Sequence, residues 1–158
     1  MSTGPSFLNG AKYLVYSTIV STFALIVWGA YLTAGNWGAA CGLGSAAAWP
    51  ACNGTFAIPS NWGALVEYIH RTLSVLTTLL LVLATIAVWR LKPRQTGAAR
   101  SFLLALVLLV VQILLGAVVV NTDLDAVVTA VHLANATLLF GVMVVGGVLV
   151  HQRETRRS

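Results

Sequence analysis

Two histidines, one glutamate and two cysteines are the residues of this sequence whose types and positions suit chemistry. His70 and His132 occupy equivalent places in two similar segments. Ala64-Leu65-Val66-Glu67-Tyr68-Ile69-His70 and Ala126-Val127-Val128-Thr129-Ala130-Val131-His132 both read alanine, two aliphatics, two variable residues, an aliphatic and histidine. Upstream, Ile26-Val27-Trp28-Gly29-Ala30 is echoed by Ile113-Leu114-Leu115-Gly116-Ala117. Such a repeat predicts two tandem helical hairpins related by a pseudo-two-fold axis. The axis places the two imidazoles at matched depth, and if one faces the bundle interior, so does the other. Two histidines facing each other across a bundle suit axial ligation of a haem iron; a polar bridge between helices is the plainer alternative. Packed helices sit roughly 8–10 Å apart, so a macrocycle has to wedge between the hairpins.

Glu67 lies three residues before His70, on the same helical face, and its counterpart in the second repeat is Thr129. An acid beside one face of a porphyrin can exchange protons with a reacting group; the alternative is a glutamate favoured by the helix N-terminal dipole. Arg71 follows His70 and needs a partner, either haem propionates or the acidic turn of Asp123 and Asp125. Gln112 is explained by hydrogen bonding between helices. Tyr31 and Thr33 suit an interfacial anchor better than a pocket wall. His151 reads as a solvated residue of a basic tail. Zinc signatures, phosphate loops and hydrolase nucleophile motifs are missing from the sequence.

The elements that must position these residues are membrane helices. Of the 158 residues, 58% are hydrophobic and 8% charged, against about 25% charged in an average soluble domain, and mean hydropathy is +0.88. A water-soluble globule is excluded. Four apolar stretches, about Tyr13–Ala34, Ala64–Trp89, Ser101–Val120 and Ala126–Val150, are each near or above the ~20 residues that span a bilayer core. The expected fold is an all-α integral membrane four-helix bundle forming a single domain over residues 1–158. The polar start Met1–Gly10 and the long first apolar run predict a retained helix, not a cleaved signal.

The net charge of +5 reports topology, not a nucleic-acid partner. Lys12, Arg90, Lys92, Arg94, Arg100, Arg153, Arg156 and Arg157 flank the termini and the middle connection, while the first and third connections hold no Lys or Arg. By the positive-inside rule both termini face the cytoplasm, in contact with anionic lipid. Cys41 and Cys52 then lie in the outward loop of residues 35–63, where an oxidising compartment permits a disulfide; two unpaired thiols are the alternative. That loop also carries Trp37, Trp49, Phe56 and Trp62, which suits a position on the membrane surface, capping what the helices enclose. Asp125 is placed to cap the last helix.

With Glu67-Tyr68-Ile69-His70-Arg71 in view, the chain resembles the heme A synthase family. Trp49-Pro50-Ala51-Cys52-Asn53-Gly54 is similar to its first-loop Trp-Pro-x-Cys-Asn-Gly, Gln112-Ile113-Leu114-Leu115-Gly116 to its third-helix Gln-x-x-Leu-Gly, and Val131-His132-Leu133 to its fourth-helix histidine. Familiar members have eight helices in two homologous halves, and this chain resembles the N-terminal, substrate-side half. The resemblance implies oxidation of a ring methyl of heme O to the formyl group of heme A, with heme b as cofactor. His70 and His132 would be axial ligands, Glu67 an essential acid and Cys41–Cys52 the loop disulfide. It further implies contacts with a heme O synthase and a terminal oxidase. Two positions depart from the family: Ala46 stands where its first loop cysteine usually sits, and Tyr31 stands where an arginine often precedes Thr33 by two. One haem pocket per chain leads to an expected homo-oligomer built from dimers, a C2 pair standing for the two halves.

Three other classes compete. A non-catalytic bis-histidine cytochrome b, as an electron-transfer or anchor subunit, explains both histidines but neither Glu67 nor the cysteine loop. A thiol–disulfide protein generally needs a reactive, closely spaced pair and a second pair. A structural oxidase-assembly subunit would tolerate loss of both histidines.

Overall fold

The computed structural model describes residues 5–42, 49–91 and 96–155. Four helices follow in order: α1 (Pro5–Ala34), α2 (Trp62–Arg90), α3 (Thr96–Asn121) and α4 (Ala126–Thr155). At 1.5 Å per residue each is roughly 39–45 Å long, enough for the hydrocarbon core and both headgroup layers. All four are long and apolar enough to cross a membrane. Only within a helix are all backbone polar groups satisfied locally, which is what a bilayer demands of a spanning segment. Large side chains on their outer faces, such as Val107, Leu114 and Leu138, are accordingly exposed.

The helices extend beyond the apolar stretches. α1 starts at Pro5 and includes the polar Asn9 and Lys12, because backbone hydrogen bonding continues past the hydrocarbon and proline suits a first helical position. At the start of α2, Asn61 accepts a hydrogen bond from the Ala64 amide at 3.2 Å. Asp125 caps α4 as expected, accepting from the amides of Val127 and Val128 at 3.0 Å each. The turn before it carries Asp123 and Leu124 in the left-handed region.

α1 packs mainly on α2 and α3 mainly on α4, while thinner α2–α3 and α1–α4 contacts close the ring. The largest apolar cluster lies toward one end of the bundle, and a smaller one of Cys41, Cys52 and Ala64 lies under the loop at the other. In the larger, Val15, Leu81, Val88, Phe102 and Met143 are fully buried, with small Ala84, Ala98, Ala99 and Ala105 letting the helices approach. Toward the other end, α3 has no buried residue beyond Leu109 and α4 has none before Ala136. His70 and His132 sit at this sparsely filled end.

The loop between α1 and α2 folds back over the same end. Trp37 is half-buried: it packs against Gly35 and Gly63, and its ring meets Tyr31 edge-on at 5.2 Å. Trp49 donates to Ser74 Oγ at 3.2 Å. Phe56, Ile58 and Trp62 remain exposed. Gly38 lies against Leu124, linking this loop to the α3–α4 turn. At the opposite end His151 is exposed but not without a contact, since its Nδ1 is 3.0 Å from the Tyr16 hydroxyl, tying α4 to α1. Ala46, Lys92, Arg94, Arg156 and Arg157 lie outside the described residues.

Candidate haem site

Each histidine sits about two turns inside its helix and rests against a glycine of the preceding helix. A Cβ added at Gly29 of α1 would come within 3.0 Å of His70 Cε1, and one at Gly116 of α3 within 3.3 Å of His132 Cε1. These are the glycines of the two echoed upstream segments. The missing side chain leaves room for the imidazole, so both repeats bring a glycine and a histidine together in the same way. His70 Nδ1 and His132 Nδ1 are buried without hydrogen-bond partners, as is the hydroxyl of Thr129.

No group of three or more His, Cys, Asp or Glu that could hold a metal ion occurs among the described residues. Two imidazoles do fit a haem, whose iron already carries four porphyrin nitrogens and takes axial ligands from the protein. The sparse packing around them fits the same group. A wide apolar groove lined by Ala130, Ala134, Thr137 and Gly141 lies on the opposite face of α4 from His132 by helical spacing, and is separate from this site.

The two histidines differ in their polar surroundings. Gln112 of α3, read as a helix–helix bridge, does bridge to α4: its Nε2 is 3.1 Å from His132 Nε2. Its Oε1 accepts from Asn135 Nδ2 at 2.7 Å, and the same nitrogen donates to the Leu108 carbonyl at 3.0 Å. Asn135 went unnoticed in the sequence, although it lies one turn from His132 in an otherwise apolar run.

On the other side, Glu67 and Arg71 form a buried ion pair. Arg71 Nε donates to Glu67 Oε1 at 3.0 Å, and Nη2 donates to the same oxygen. Glu67 Oε2 accepts from the Cys41 amide at 2.7 Å, and Arg71 Nη1 donates to the Ala51 carbonyl at 2.7 Å. Cys41 and Cys52 are joined in a disulfide. The pair therefore holds the loop at both ends of its cross-link. Arg71 meets an acid of its own helix, a partner that neither sequence expectation supplied. Tyr31 packs with Trp28 and Trp37 as an aromatic anchor, and Thr33 bonds back to Gly29 O.

Fold and site define a four-helix membrane protein with a paired-histidine site at one end. The family model of a cytochrome oxidase assembly protein matches residues 6–144. The chain is 35% identical to the heme A synthase of Symbiobacterium thermophilum over 73% of its length and 36% of that relative. It is 32% identical to the heme A synthase of Alkalihalophilus pseudofirmus over 87% of its length and 46% of that relative. It is also 32% identical to a protoheme IX farnesyltransferase of Halobacterium salinarum, over 80% of its length and 27% of that protein. The chain belongs to the heme A synthase family of cytochrome oxidase assembly proteins. It spans less than half the length of these relatives. No solved structure matches it significantly.

Proposed function

We propose that the chain binds haem between α2 and α4, with His70 and His132 as axial ligands, and acts as a heme A synthase. The reaction is oxidation of a ring methyl of heme O to the formyl group of heme A, for terminal oxidase assembly. One observation carries the reading: both repeats set a histidine against a glycine of the preceding helix, at the end of the bundle where α3 and α4 bury no residue. The Halobacterium salinarum relative supports the substrate class, since a protoheme IX farnesyltransferase makes a farnesylated haem and its chain contains a segment like this one.

A bound heme b supplies redox-active iron; the chain's own residues bind and orient. Glu67 is the proposed acid, acting from its pair with Arg71, and Arg71 is the proposed cation for haem propionates, its position set by Glu67 and Ala51. The helices form two tandem hairpins in the cell membrane, with both termini cytoplasmic and the cysteine loop on the outer face. The working unit is a dimer-based homo-oligomer in which one protomer's haem serves its neighbour's substrate. Full activity of a strictly monomeric preparation would exclude that arrangement.

A second reading, a non-catalytic bis-histidine cytochrome b, is favoured by one observation: both carboxylate oxygens of Glu67 are already hydrogen-bonded within the protein. The deciding experiment co-expresses the chain with a heme O source and identifies extracted haems by mass spectrometry. A synthase yields heme A or its hydroxylated precursor, and Glu67→Gln retains haem while losing that product. Heme b alone in the wild type selects the cytochrome.

A further inference from the structure

The amide relay beside His132 has a fixed direction, and that direction sets how this imidazole meets iron. The Leu108 carbonyl can only accept, so the nitrogen of Asn135 must face it. The same nitrogen donates to the oxygen of Gln112, which turns the Gln112 NH2 toward His132 Nε2. Facing a donor, Nε2 presents its lone pair, and the ring proton resides on Nδ1. That nitrogen is buried and unpartnered. Residues of the protein thus select the tautomer a metal-binding Nε2 requires, and at the same time cover its lone pair.

The first repeat has no such device. Aligning Ile26 with Ile113 puts Leu25 opposite Gln112, and aligning His70 with His132 puts Leu73 opposite Asn135. Neither leucine can donate. Resting on the haem ligation proposed above, we propose that Gln112 is a positioning residue that caps His132 Nε2 whenever iron is not bound there, making His132 the exchangeable axial ligand and His70 the permanent one. No electron or proton moves in the exchange. With His132 unligated, its Nε2 lone pair would accept one N–H of Gln112, the contact seen here at 3.1 Å. The asymmetry leaves one face of the haem able to open and the other closed.

Two measurements test this. In apo-protein labelled with 15N-histidine, His132 is expected as the Nδ1–H tautomer, and Gln112→Leu is expected to shift it toward a mixture. In reduced, haem-loaded protein, carbon monoxide is expected to bind the wild type about fivefold more tightly than Gln112→Leu, the equilibrium equivalent of one ordinary hydrogen bond stabilising the displaced imidazole. His132→Ala should erase that difference, and so should His70→Ala, because carbon monoxide then takes the vacated position and His132 need not leave. Asn135→Ala frees Gln112 without touching His132, and should shift both readouts the same way if Gln112→Leu does not fold. Equal carbon monoxide affinities, with bis-histidine spectra in wild type and variants, overturn the cap while leaving haem binding intact. Failure of the wild type to bind haem overturns the haem reading, and this proposal with it.

Discussion

Arg71 grips the carboxylate of Glu67 from one helical turn away, and both side chains are 5% exposed or less. The pair spans the two ends of the cross-linked loop, so its loss is felt on the helix and in the loop together. Removing one partner of a buried pair leaves an uncompensated charge and typically costs about 3–5 kcal/mol. The two removals are not equivalent. An arginine stem reaches an interface by snorkelling, whereas Glu67 is short and stays buried. Arg71→Ala is therefore expected to lower thermal stability in detergent more than Glu67→Gln does. Arg71→Lys should recover only part of the loss, because a point charge cannot serve Glu67 and Ala51 as a guanidinium fork does. Equal melting temperatures for Arg71→Ala and wild type would exclude the clamp.

The glycine–histidine contacts make a graded prediction. Alanine at either glycine meets an imidazole edge, closer at Gly29 (3.0 Å) than at Gly116 (3.3 Å). Because a histidine ring can tilt, both variants should fold, with the ring displaced from the direction a haem needs. We expect Gly29→Ala to retain less haem per protein than Gly116→Ala, and both less than wild type, by pyridine haemochrome assay after purification. The order should persist at equal melting temperature, which separates it from general destabilisation.

Much of this was legible in the sequence because the repeat writes both members of each contact. Both the glycine segments and the histidine segments were visible as echoes, but that each glycine meets its histidine is seen only in the fold. Helix number was equally plain from four apolar runs, but helix ends were not: α1 begins at Pro5 inside a polar stretch, where hydropathy carries no signal. The contacts that fix Glu67 and Arg71 were hidden for a different reason. Their loop partners are a backbone amide at Cys41 and a backbone carbonyl at Ala51, and every residue offers those groups. Asn135 was missed because its repeat counterpart is Leu73, so no echo marked it.

The Cys41 amide gives the loop a local reporter. Its hydrogen goes to Glu67 Oε2, and its side chain closes a disulfide across 11 residues. A cross-link over so short a loop contributes about 3 kcal/mol on chain-entropy grounds. In hydrogen–deuterium exchange, a peptide containing Cys41 should exchange slowly in wild type, faster in Glu67→Ala, and faster again in the Cys41→Ser/Cys52→Ser double variant. Peptides from the α3–α4 core should be unaffected. Slow exchange at Cys41 in Glu67→Ala would show that another acceptor holds it.

The separation of core and site along the bundle makes the last prediction. Gly146 of α4 faces Phe102 so closely that an added Cβ would lie 2.8 Å from Cε2, 3.0 Å from Cδ2 and 3.2 Å from Ser101 Cβ. Phe102 is fully buried in the main apolar cluster. Overpacking of this kind costs about 1–3 kcal/mol, and for a chain of this size each kcal/mol shifts Tm by roughly 2–4 °C. Gly146→Ala should therefore melt several degrees below wild type while keeping the axial-ligand spectrum of its bound haem. A stable Gly146→Ala with an altered haem spectrum would mean that the two ends are coupled, contrary to the separation of the Phe102 cluster from the histidine end.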